Sequence, residues 1–433
     1  MKALMFGWEF PPHISGGLGT ACYGLTKALM KHDVKIIFVV PKAWGDEETQ
    51  NIRLVNASDV LIDIKDKLFR EMISKLSYLE IDSTLIPYAD DEEYFRITEQ
   101  LSKGVKADQL SIKTHKYTFQ GGYGKNLMEE VKRYALVGAE VARQHQFDII
   151  HSHDWLTYMA GAEAKRISGK PLVVHMHATE FDRSGENVNQ LVYDIERAGM
   201  EAADMVVAVS NLTRNVVINR YGISPEKVIT VHNGVEPATP SQFLEAGKKV
   251  DEKIVTFLGR ITFQKGPEYF IEAAHKVLKR DPNVRFVMAG SGDLLPKMIR
   301  RVASLGIATK FHFTGFLKGD DVDKMFGMSD VYVMPSVSEP FGISPLEAMR
   351  SNVPVIISKQ SGVAEVLKYA IKIDFWDIDA MADAIYGLLH YKSLPEMFKE
   401  CGKEEVESIK WGQAGKKVKD IYENLLKKTP NIS

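Results

Sequence analysis

The chain has 433 residues, of which 45% are hydrophobic, enough to form the cores of about two or three domains. Its formal charge of -2 gives no support for a nucleic-acid or membrane-surface partner. Cys22 and Cys401 are the only cysteines, which excludes a disulfide framework and favours a reducing, cytoplasmic location.

The first elements predict a strand, a helix and a second strand. KALMFGWE is interrupted by Glu9 and is typical of a strand rather than of a signal peptide. TACYGLTKALMKH places Ala21, Leu25 and Leu29 on one helical face, and VKIIFVVP follows as a strand. No segment approaches the ~18 consecutive apolar residues of a membrane span, so stable membrane insertion is not expected.

Short apolar runs continue to alternate with helical patterns along the chain. Residues 41–125 break this rhythm and predict extra strands and loops at the rim of a first domain. The later predicted strands of that domain are FDIIHS, PLVVHMH, DMVVAVS and KVITVHNG.

A second strand series begins at KIVTFLGR and continues with VRFVMAGSG, KFHFTGF, DVYVMPS and VPVIISK. The polar stretch NGVEPATPSQFLEAGKKVDE separates the two series and predicts a domain boundary. Continuous apolar runs indicate parallel strands covered on both faces, and hence an α/β fold with two Rossmann-like domains. The cleft between two such domains is the default ligand site.

PSVSEPFGISPLEAM, at residues 335–349, raises the question of why two glutamates flank a loop and a helix start. Ser344-Pro345-Leu346-Glu347 has the pattern of a capping box, with Ser344 as the N-cap, so helix chemistry alone could explain Glu347. Glu339 precedes the helix in a loop with Pro340 and Gly342, and the cap does not explain it. Ligands gather at this place, after a strand of an open α/β sheet.

Two other loops have the composition of phosphate sites. EFPPHISGGLGT places Gly16 and Gly17 before the first helix, where free N–H groups favour an anion, although a turn without a ligand is the alternative. FLGRITFQKGPEYF repeats that layout, with Arg260 and Lys265 in the loop and Pro267 near the helix start. Arginine as a fork and lysine as a point charge can hold a diphosphate, but the pair could also be solvated surface charge.

Histidines end two predicted strands of the first domain. We expect alternating positions to face opposite sides, with His151 and His175 in the layers and His153 and His177 near the strand ends. Hydrogen-bonded core histidine is the preferred interpretation for His151 and His175. The sequence has no cysteine pair and no zinc-ligand spacing, so we expect no metal.

Two Asp-x-Asp pairs, Asp321/Asp323 and Asp377/Asp379, lie in predicted helix openings. Aspartate is a normal cap or first-turn residue there, which we favour over a metal site.

Together these stretches resemble the retaining nucleotide-sugar glycosyltransferases of the GT-B fold, in the group that includes bacterial glycogen and starch synthases. Four motifs match in order over nearly the whole chain: Gly16-Gly17-Leu18, His151 to Trp155, Arg260 to Gly266, and Glu339 to Glu347. The resemblance implies two Rossmann-like domains with parallel sheets facing across a cleft. We place the acceptor-side domain at 1–235, the nucleotide-sugar domain at 236–410, and a helix that crosses back at 411–433.

On the donor side, the resemblance implies that Arg260 and Lys265 hold the diphosphate and stabilise it as it leaves. Gly16 and Gly17 would offer N–H groups to the same phosphates. Glu347 would bind the ribose hydroxyls, and this role and the capping role can hold together.

On the sugar side, the resemblance implies that Glu339 faces the donor sugar and completes the catalytic set with His177, Arg260 and Lys265. His177 would hydrogen-bond the sugar near the reacting centre, and Asp154 would line the acceptor side. In the turn that follows, sugar hydroxyls would be contacted by the backbone N–H groups of Phe341, Gly342 and Ile343.

One position departs from the family pattern. Bacterial glycogen synthases usually carry Lys-x-Gly-Gly-Leu, and this chain has Ile14 where the lysine would stand. One phosphate cation is therefore missing, which leaves open both the donor nucleotide and the glucan product.

These expectations describe a cytoplasmic retaining hexosyltransferase that moves a sugar, most simply glucose, from a nucleoside diphosphate to a glucan or another carbohydrate acceptor. No cofactor is implied. One alternative is a nucleotide-sugar 2-epimerase on the same fold, for which no acid/base set is identifiable. The other is a non-catalytic binding relative, which would be expected to have lost Arg260, Lys265 or Glu339.

Overall fold

The computed structural model describes residues 1–13, 16–47, 52–63, 114–124, 126–236 and 251–428. Ile14, most of the 41–125 segment, most of the predicted domain boundary and the last five residues lie outside these ranges. The predictions that fall on those residues concern parts of the chain that the structure does not describe.

Seven strands form the first sheet, in the order β3-β2-β1-β6-β7-β8-β9. Its central pairs are parallel, with Leu4 opposite both Ile37 and Ile150. The residues from Ala3 to Phe6 are fully buried, because helices cover both faces of the strand. A separate two-stranded pair, β4-β5, is antiparallel. The strands are β1 Lys2–Phe6, β2 Lys35–Val40, β3 Arg53–Asn56, β4 Ile62–Asp63, β5 Thr114–His115, β6 Ile149–His153, β7 Leu172–Met176, β8 Met205–Ala208 and β9 Val228–Thr230.

Six strands form the second sheet, in the order β12-β11-β10-β13-β14-β15, and its pairs are parallel. Val331 and Val333 pack into one hydrophobic cluster, whereas Tyr332 and Met334 pack into another. Alternate residues of one strand therefore enter opposite cores, which explains its continuous apolar sequence. These strands are β10 Lys253–Leu258, β11 Val284–Ala289, β12 Phe311–Gly315, β13 Val331–Met334, β14 Val355–Ser358 and β15 Ile371–Ile373.

Thirteen α-helices lie within the described residues, mostly between consecutive strands. They are α1 Gly17–Lys31, α2 Leu127–Gln144, α3 Trp155–Ser168, α4 Glu180–Ser184, α5 Gln190–Ala202, α6 Asn211–Tyr221, α7 Pro267–Arg280, α8 Leu295–Ser304, α9 Asp320–Met328, α10 Ser344–Arg350, α11 Ile378–His390, α12 Ser393–Ser408 and α13 Trp411–Lys428. Within the described part of the chain, no helix combines the length and the apolar character needed to cross a bilayer.

The strand orders locate the ligand sites. In each sheet the chain first builds outward from one strand, β1 or β10, and then returns to build on that strand's other side, at β6 or β13. This reversal is the topological switch point, where the loops that follow two neighbouring strands diverge and leave room for a ligand. The prediction of two α/β domains with parallel sheets is confirmed.

The chain divides into two compact units. The first comprises residues Met1–His175, Asp194–Val206 and Lys419–Ser433, and the second comprises Met176–Tyr193 and Val207–Val418. The domain limits expected from the sequence, near residues 235 and 410, stay predictions.

Candidate active site

The loop that follows β10 carries the two predicted phosphate-binding cations. Arg260 is exposed, and Lys265 ends a short 3-10 turn. Gly266 then adopts a φ of 63°, and a side chain there would also collide with the carbonyl of Pro335 in the loop after β13. Pro267 is the first residue of α7, as the sequence predicts. Glycine therefore lets the two loops meet, and the helix starts at once behind them.

Lys265 and Glu339 form an ion pair that joins these two loops. Lys265 Nζ lies 2.5 Å from Glu339 Oε2, and Ser336 Oγ donates to the same oxygen over 3.1 Å. Glu339 is buried and Lys265 keeps about a fifth of its side chain exposed. The backbone N–H of Val337 also donates to the carbonyl of Gln264 over 2.9 Å. The second sheet thus holds a cation in place at its switch point before any ligand arrives.

The turn between Glu339 and α10 presents backbone donors. Gly342 has a φ of 98°, in the left-handed region that favours glycine. Phe341 is buried, and its carbonyl accepts from the N–H of Val363 over 2.7 Å. Among the described residues, no carbonyl accepts from the N–H groups of Phe341, Gly342 or Ile343. These three donors are therefore available to a ligand.

The capping box predicted at Ser344 is wrong. The helix α10 begins at Ser344 itself, with Ile343 as the N-cap, and no side chain caps it. Ser344 Oγ instead lies 2.8 Å from the hydroxyl of Tyr332 on β13. The Ser344 hydroxyl, which a cap would need, is therefore hydrogen-bonded to Tyr332 outside the helix. Glu347 consequently has no structural role at the N-cap.

The carboxylate of Glu347 lies in a poorly solvated place. Burial raises its pKa, and the nearby Arg350 only partly opposes this effect, with Asp323 raising the pKa further. Arg350 is itself paired with Asp323 at 3.0 Å. Within the described residues, Glu347 accepts no hydrogen bond through its side chain. A half-buried carboxylate in this condition suits hydrogen-bond donors supplied by a ligand.

The glycines of the first unit leave open space at the start of α1. Gly16 is the N-cap and has an extended backbone, which any residue can adopt. A side-chain carbon added at Gly16 or at Gly17 would meet nothing within 4 Å. The surrounding chain therefore does not require glycine at these positions, which is consistent with their being kept for close approach of a ligand.

Asp154, directly after β6, has a strained backbone. Its φ of 61° and ψ of 168° belong to a region that is essentially restricted to glycine. The residue is buried, and its N–H donates to the carbonyl of His175 over 2.9 Å. Strain of this kind costs about 1–3 kcal/mol and concentrates at functional sites. The sequence motif indicated Asp154 as a site residue but contains no signal of this conformation.

His151, His153 and His175 form one buried stack, contrary to the expectation that they would face different sides. The rings of His151 and His153 are 4.4 Å apart, and that of His175 lies 5.4 and 5.6 Å from them. Residues two apart on a strand share a face, so the expectation of opposite faces is wrong. His151 also contacts the hydroxyl of Tyr422, on α13, at 2.5 Å.

Ring nitrogens of these three histidines lie within 4.8 Å of one another, a spacing that a metal ion could bridge. The expectation of no metal therefore stays a prediction at this stack. Both Asp-x-Asp pairs open helices, as expected. Asp321 and Asp323 lie in the first turn of α9, and Asp377 caps α11 by accepting from the N–H of Ala380 over 2.9 Å.

His177 follows β7 and belongs to the second unit. Its Nδ1 atom is buried, and burial lowers the pKa of the imidazole to about 3. The side chain is thus neutral at physiological pH and can hydrogen-bond a sugar without carrying a charge. Two residues later, Thr179 caps α4 in a capping box with Asp182. The spacing Thr-x-x-Asp is the sequence signal for this cap, and it is not among the motifs named above.

Two solved structures share this architecture. Sucrose-phosphate synthase from Thermosynechococcus elongatus superposes with a TM-score of 0.71 at 17% identity, covering 99% of this chain and 100% of its own. Anabaena HepE, in complex with UDP and glucose, gives a TM-score of 0.67 at 17% identity over 98% and 100%. The architecture of this chain is therefore that of the GT-B fold.

The family follows from sequence comparison. The model for glycosyl transferases group 1 matches residues 239–405, and that for glycosyltransferase family 4 matches residues 122–239. The chain is similar to alpha-maltose-1-phosphate synthase of Mycolicibacterium smegmatis, with 30% identity over 64% of this chain and 79% of the relative. An uncharacterized glycosyltransferase of Methanocaldococcus jannaschii is 28% identical over 98% of both chains. This chain belongs to the group 1 glycosyltransferases, and it is a hexosyltransferase.

Replacing Asp154 by glycine is expected to raise the free energy of unfolding by about 1 kcal/mol, because the strain of the backbone is released. Transfer activity should fall sharply at the same time if the side chain acts in the site. Chemical denaturation and an activity assay measure the two effects. Asp33→Gly is the matched control, since Asp33 has a φ of 62° on an exposed turn and should gain stability without losing activity. Lower stability with unchanged transfer would contradict this account of Asp154.

Glu347→Gln should leave the melting temperature at pH 7 unchanged or slightly raised, because burial raises the pKa of this carboxyl and disfavours its ionised form. The affinity for a nucleoside diphosphate should fall about tenfold through loss of a charged acceptor. Calorimetry measures the affinity, and the exposed Glu226→Gln is the control. A clearly lowered melting temperature with unaltered affinity would make Glu347 structural.

His177 should make folding sensitive to acid. Its pKa is about 3 in the folded chain, against an ordinary value of 6.5, so between these values the unfolded chain binds more protons and stability falls as the pH falls. His177→Gln should lose stability less steeply between pH 6.5 and about pH 4.5 than the wild type does. Denaturation at a series of pH values tests this, with exposed His312→Gln as the control. Identical slopes for wild type and His177→Gln would show that His177 is solvated.

Proposed function

We propose that this enzyme transfers glucose from a nucleoside-diphosphate glucose, with retention of configuration, to an α-glucan or a related carbohydrate acceptor. The observation that carries the proposal is the Lys265–Glu339 pair at the switch point of the second sheet, with Arg260 in the same loop. Cations beside a helix start suit a diphosphate, and a buried carboxylate next to them suits the sugar that the diphosphate carries.

The proposed reaction breaks the bond between the sugar's anomeric carbon and the diphosphate oxygen, whose electrons leave with the diphosphate. Lys265 and Arg260 stabilise the charge that grows on this leaving group. The acceptor hydroxyl attacks on the face that the diphosphate vacates, and its proton passes to a diphosphate oxygen. This step needs no separate carboxylate nucleophile and no cofactor.

Glu339 and the turn after it would orient the sugar. Glu339 Oε2 already accepts from Lys265 and Ser336, which leaves its other carboxylate oxygen for a sugar hydroxyl. The available N–H groups of residues 341–343 would donate to neighbouring hydroxyls. Glu347 would accept from the ribose hydroxyls, and this would supply the donors that its side chain lacks within the described residues.

Glucose as the donor sugar is supported by the name of the M. smegmatis relative, since maltose consists of two glucose units. That name also makes a sugar phosphate a second acceptor class to test beside an α-glucan. The roles proposed for His177, Gly16, Gly17 and Asp154 rest on the motif resemblance, and the cytoplasmic location rests on the scarcity of cysteine.

A product-release screen tests the proposal directly. ADP-, UDP- and GDP-glucose are each incubated with glycogen, maltose, glucose 1-phosphate or no acceptor, and both free nucleotide and glycosylated product are measured. We expect one nucleotide to be released in amounts that match the glucose transferred. Nucleotide released with a free 2-epimer would favour the epimerase instead, and no release from any donor would refute both.

Lys265→Ala should lower kcat by about two to three decades at saturating donor, the effect of losing about 2.7–4 kcal/mol of leaving-group stabilisation. The Michaelis constant should change less, because the contact is stronger in the transition state than with bound donor. Arg260→Lys should also be impaired, since a point charge does not reproduce the guanidinium fork. Steady-state kinetics over a donor series measures both constants.

The control is Lys276→Ala, which breaks an exposed ion pair between Lys276 and Asp379 and should leave kcat unchanged. Lys265→Ala also leaves Glu339 buried without its cation, so some loss of stability is expected, and Lys265→Met combined with Glu339→Gln should restore stability without activity. Near wild-type kcat in both Lys265→Ala and Arg260→Ala would show that the site has been placed wrongly.

Turnover should survive exhaustive chelation, because Arg260 and Lys265 already supply the cations and both Asp-x-Asp pairs serve helix starts. Activity is measured before and after chelation, and elemental analysis of the chelated protein checks the histidine stack for a retained ion. Activity that disappears with chelator and returns with manganese or magnesium would overturn the assignment of the cations.

A further inference from the structure

A hydrogen bond links the segment that carries His177 to the loop that carries Glu339. Ser338 Oγ donates to Asp182 Oδ1 over 2.5 Å, across 156 residues of sequence and within the second unit. Asp182 is 5% exposed, and Ser338 is half-buried. A hydroxyl bonded to a buried carboxylate makes a strong, charge-assisted contact. This hydrogen bond therefore restrains the two segments more strongly than an exposed side-chain contact would.

The cap of α4 does not account for this link. Asp182 Oδ2 alone completes the capping box, by accepting from both the N–H and the hydroxyl of Thr179 at 2.7 Å. Asp182 Oδ1 is left over and is used for Ser338. A residue needed only to cap this helix would require one carboxylate oxygen. The second oxygen serves a contact outside the helix.

Residues 177–184, here called the His177 segment, are braced so that they can move as one piece. Arg183 Nη1 donates to the carbonyl of Ala178 over 2.9 Å, and Arg183 Nε donates to Glu180 over 3.1 Å. Glu180 is buried and accepts from the N–H of Asn189 over 3.0 Å. A constraint applied at Asp182 is therefore carried back toward His177.

The other end of the link adjoins the ion pair. Ser338 precedes Glu339, which contacts Lys265. The helix α4 of the His177 segment also packs on the 3-10 turn Phe263–Lys265. We propose that Asp182, through Ser338, is a positioning residue that fixes His177 relative to Glu339 and Lys265 for sugar transfer. This inference rests on the proposed function, and it concerns geometry rather than contact with the substrate.

Hydrogen–deuterium exchange tests the link without any substrate. Ser338→Ala removes the hydroxyl and leaves the capping box intact, so the amides of residues 179–185 should exchange faster than in the wild type. Ser338→Thr keeps a hydroxyl and should restore the wild-type rate. Ser304→Ala removes an exposed hydroxyl that bonds only within α8 and serves as the control. Unchanged exchange in Ser338→Ala would overturn the link.

Kinetics tests whether the link positions the catalytic groups. Ser338→Ala should lower kcat about tenfold, as expected for a small misplacement of reacting groups, while its dissociation constant for the nucleoside diphosphate stays within about twofold of wild type. Ser338→Thr should recover most of kcat. Faster exchange with unchanged kcat would make Asp182 merely structural, and a large loss of nucleotide affinity would make Ser338 a direct ligand contact; either result overturns the proposal.

The exchange experiment and the kinetic experiment together distinguish a failure of this inference from a failure of the proposed function on which it rests. A wild-type chain that transfers no sugar from any donor would refute the proposed function, and with it a positioning role in that reaction. The exchange result would still decide whether Asp182 holds the His177 segment. An active wild type with unaffected Ser338→Ala would refute the positioning role alone.

Discussion

The ion pair between Lys265 and Glu339 is the interaction on which the organisation of the second unit's site depends. It joins the loops that follow β10 and β13, the two strands on either side of the switch point. Glu339 is buried, so its charge needs a partner, and the partner is the cation that the proposed chemistry uses. In the proposed reaction this cation is in place before the donor arrives, so little reorganisation would be needed when charge develops on the leaving group.

Two further features cost stability, and each lies beside the switch point of its own sheet. Asp154 has a backbone conformation suited to glycine, and burial raises the pKa of Glu347. The backbone conformation at Asp154 favours glycine, and burial at Glu347 favours an uncharged side chain such as glutamine. Local conflicts of this kind are expected where function, rather than packing, selects the residue. Asp154 follows β6 beside the switch point of the first sheet, and Glu347 lies in α10 beside the switch point of the second sheet, where each strand order indicates a place for a ligand.

The sheets were predictable because their strands are apolar on both faces, as the alternation of Val331 and Tyr332 between two cores illustrates. The loops were predictable because glycines, cations and acids follow those strands. The start of α10 was not, since the hydroxyl of Tyr332 competes for Ser344 and a local pattern cannot show a distant partner. The histidine stack was missed through an error in strand periodicity, and the strain at Asp154 has no sequence signature.

The charge around the ion pair constrains how a diphosphate can be bound. Arg260 and Lys265 supply two positive charges and Glu339 one negative charge, which leaves one net positive charge for a ligand that carries more than one negative charge. The lysine usual in related glycogen synthases is replaced by Ile14, which lies outside the described residues. Pro267 at the first position of α7 has no N–H, so that helix start contributes one donor fewer.

Ion pairing alone is therefore a weak basis for diphosphate affinity at this site. In the proposed binding mode, neutral donors, among them the N–H groups of residues 341–343, would contribute much of the affinity, and the cations would act mainly on the charge that develops during transfer.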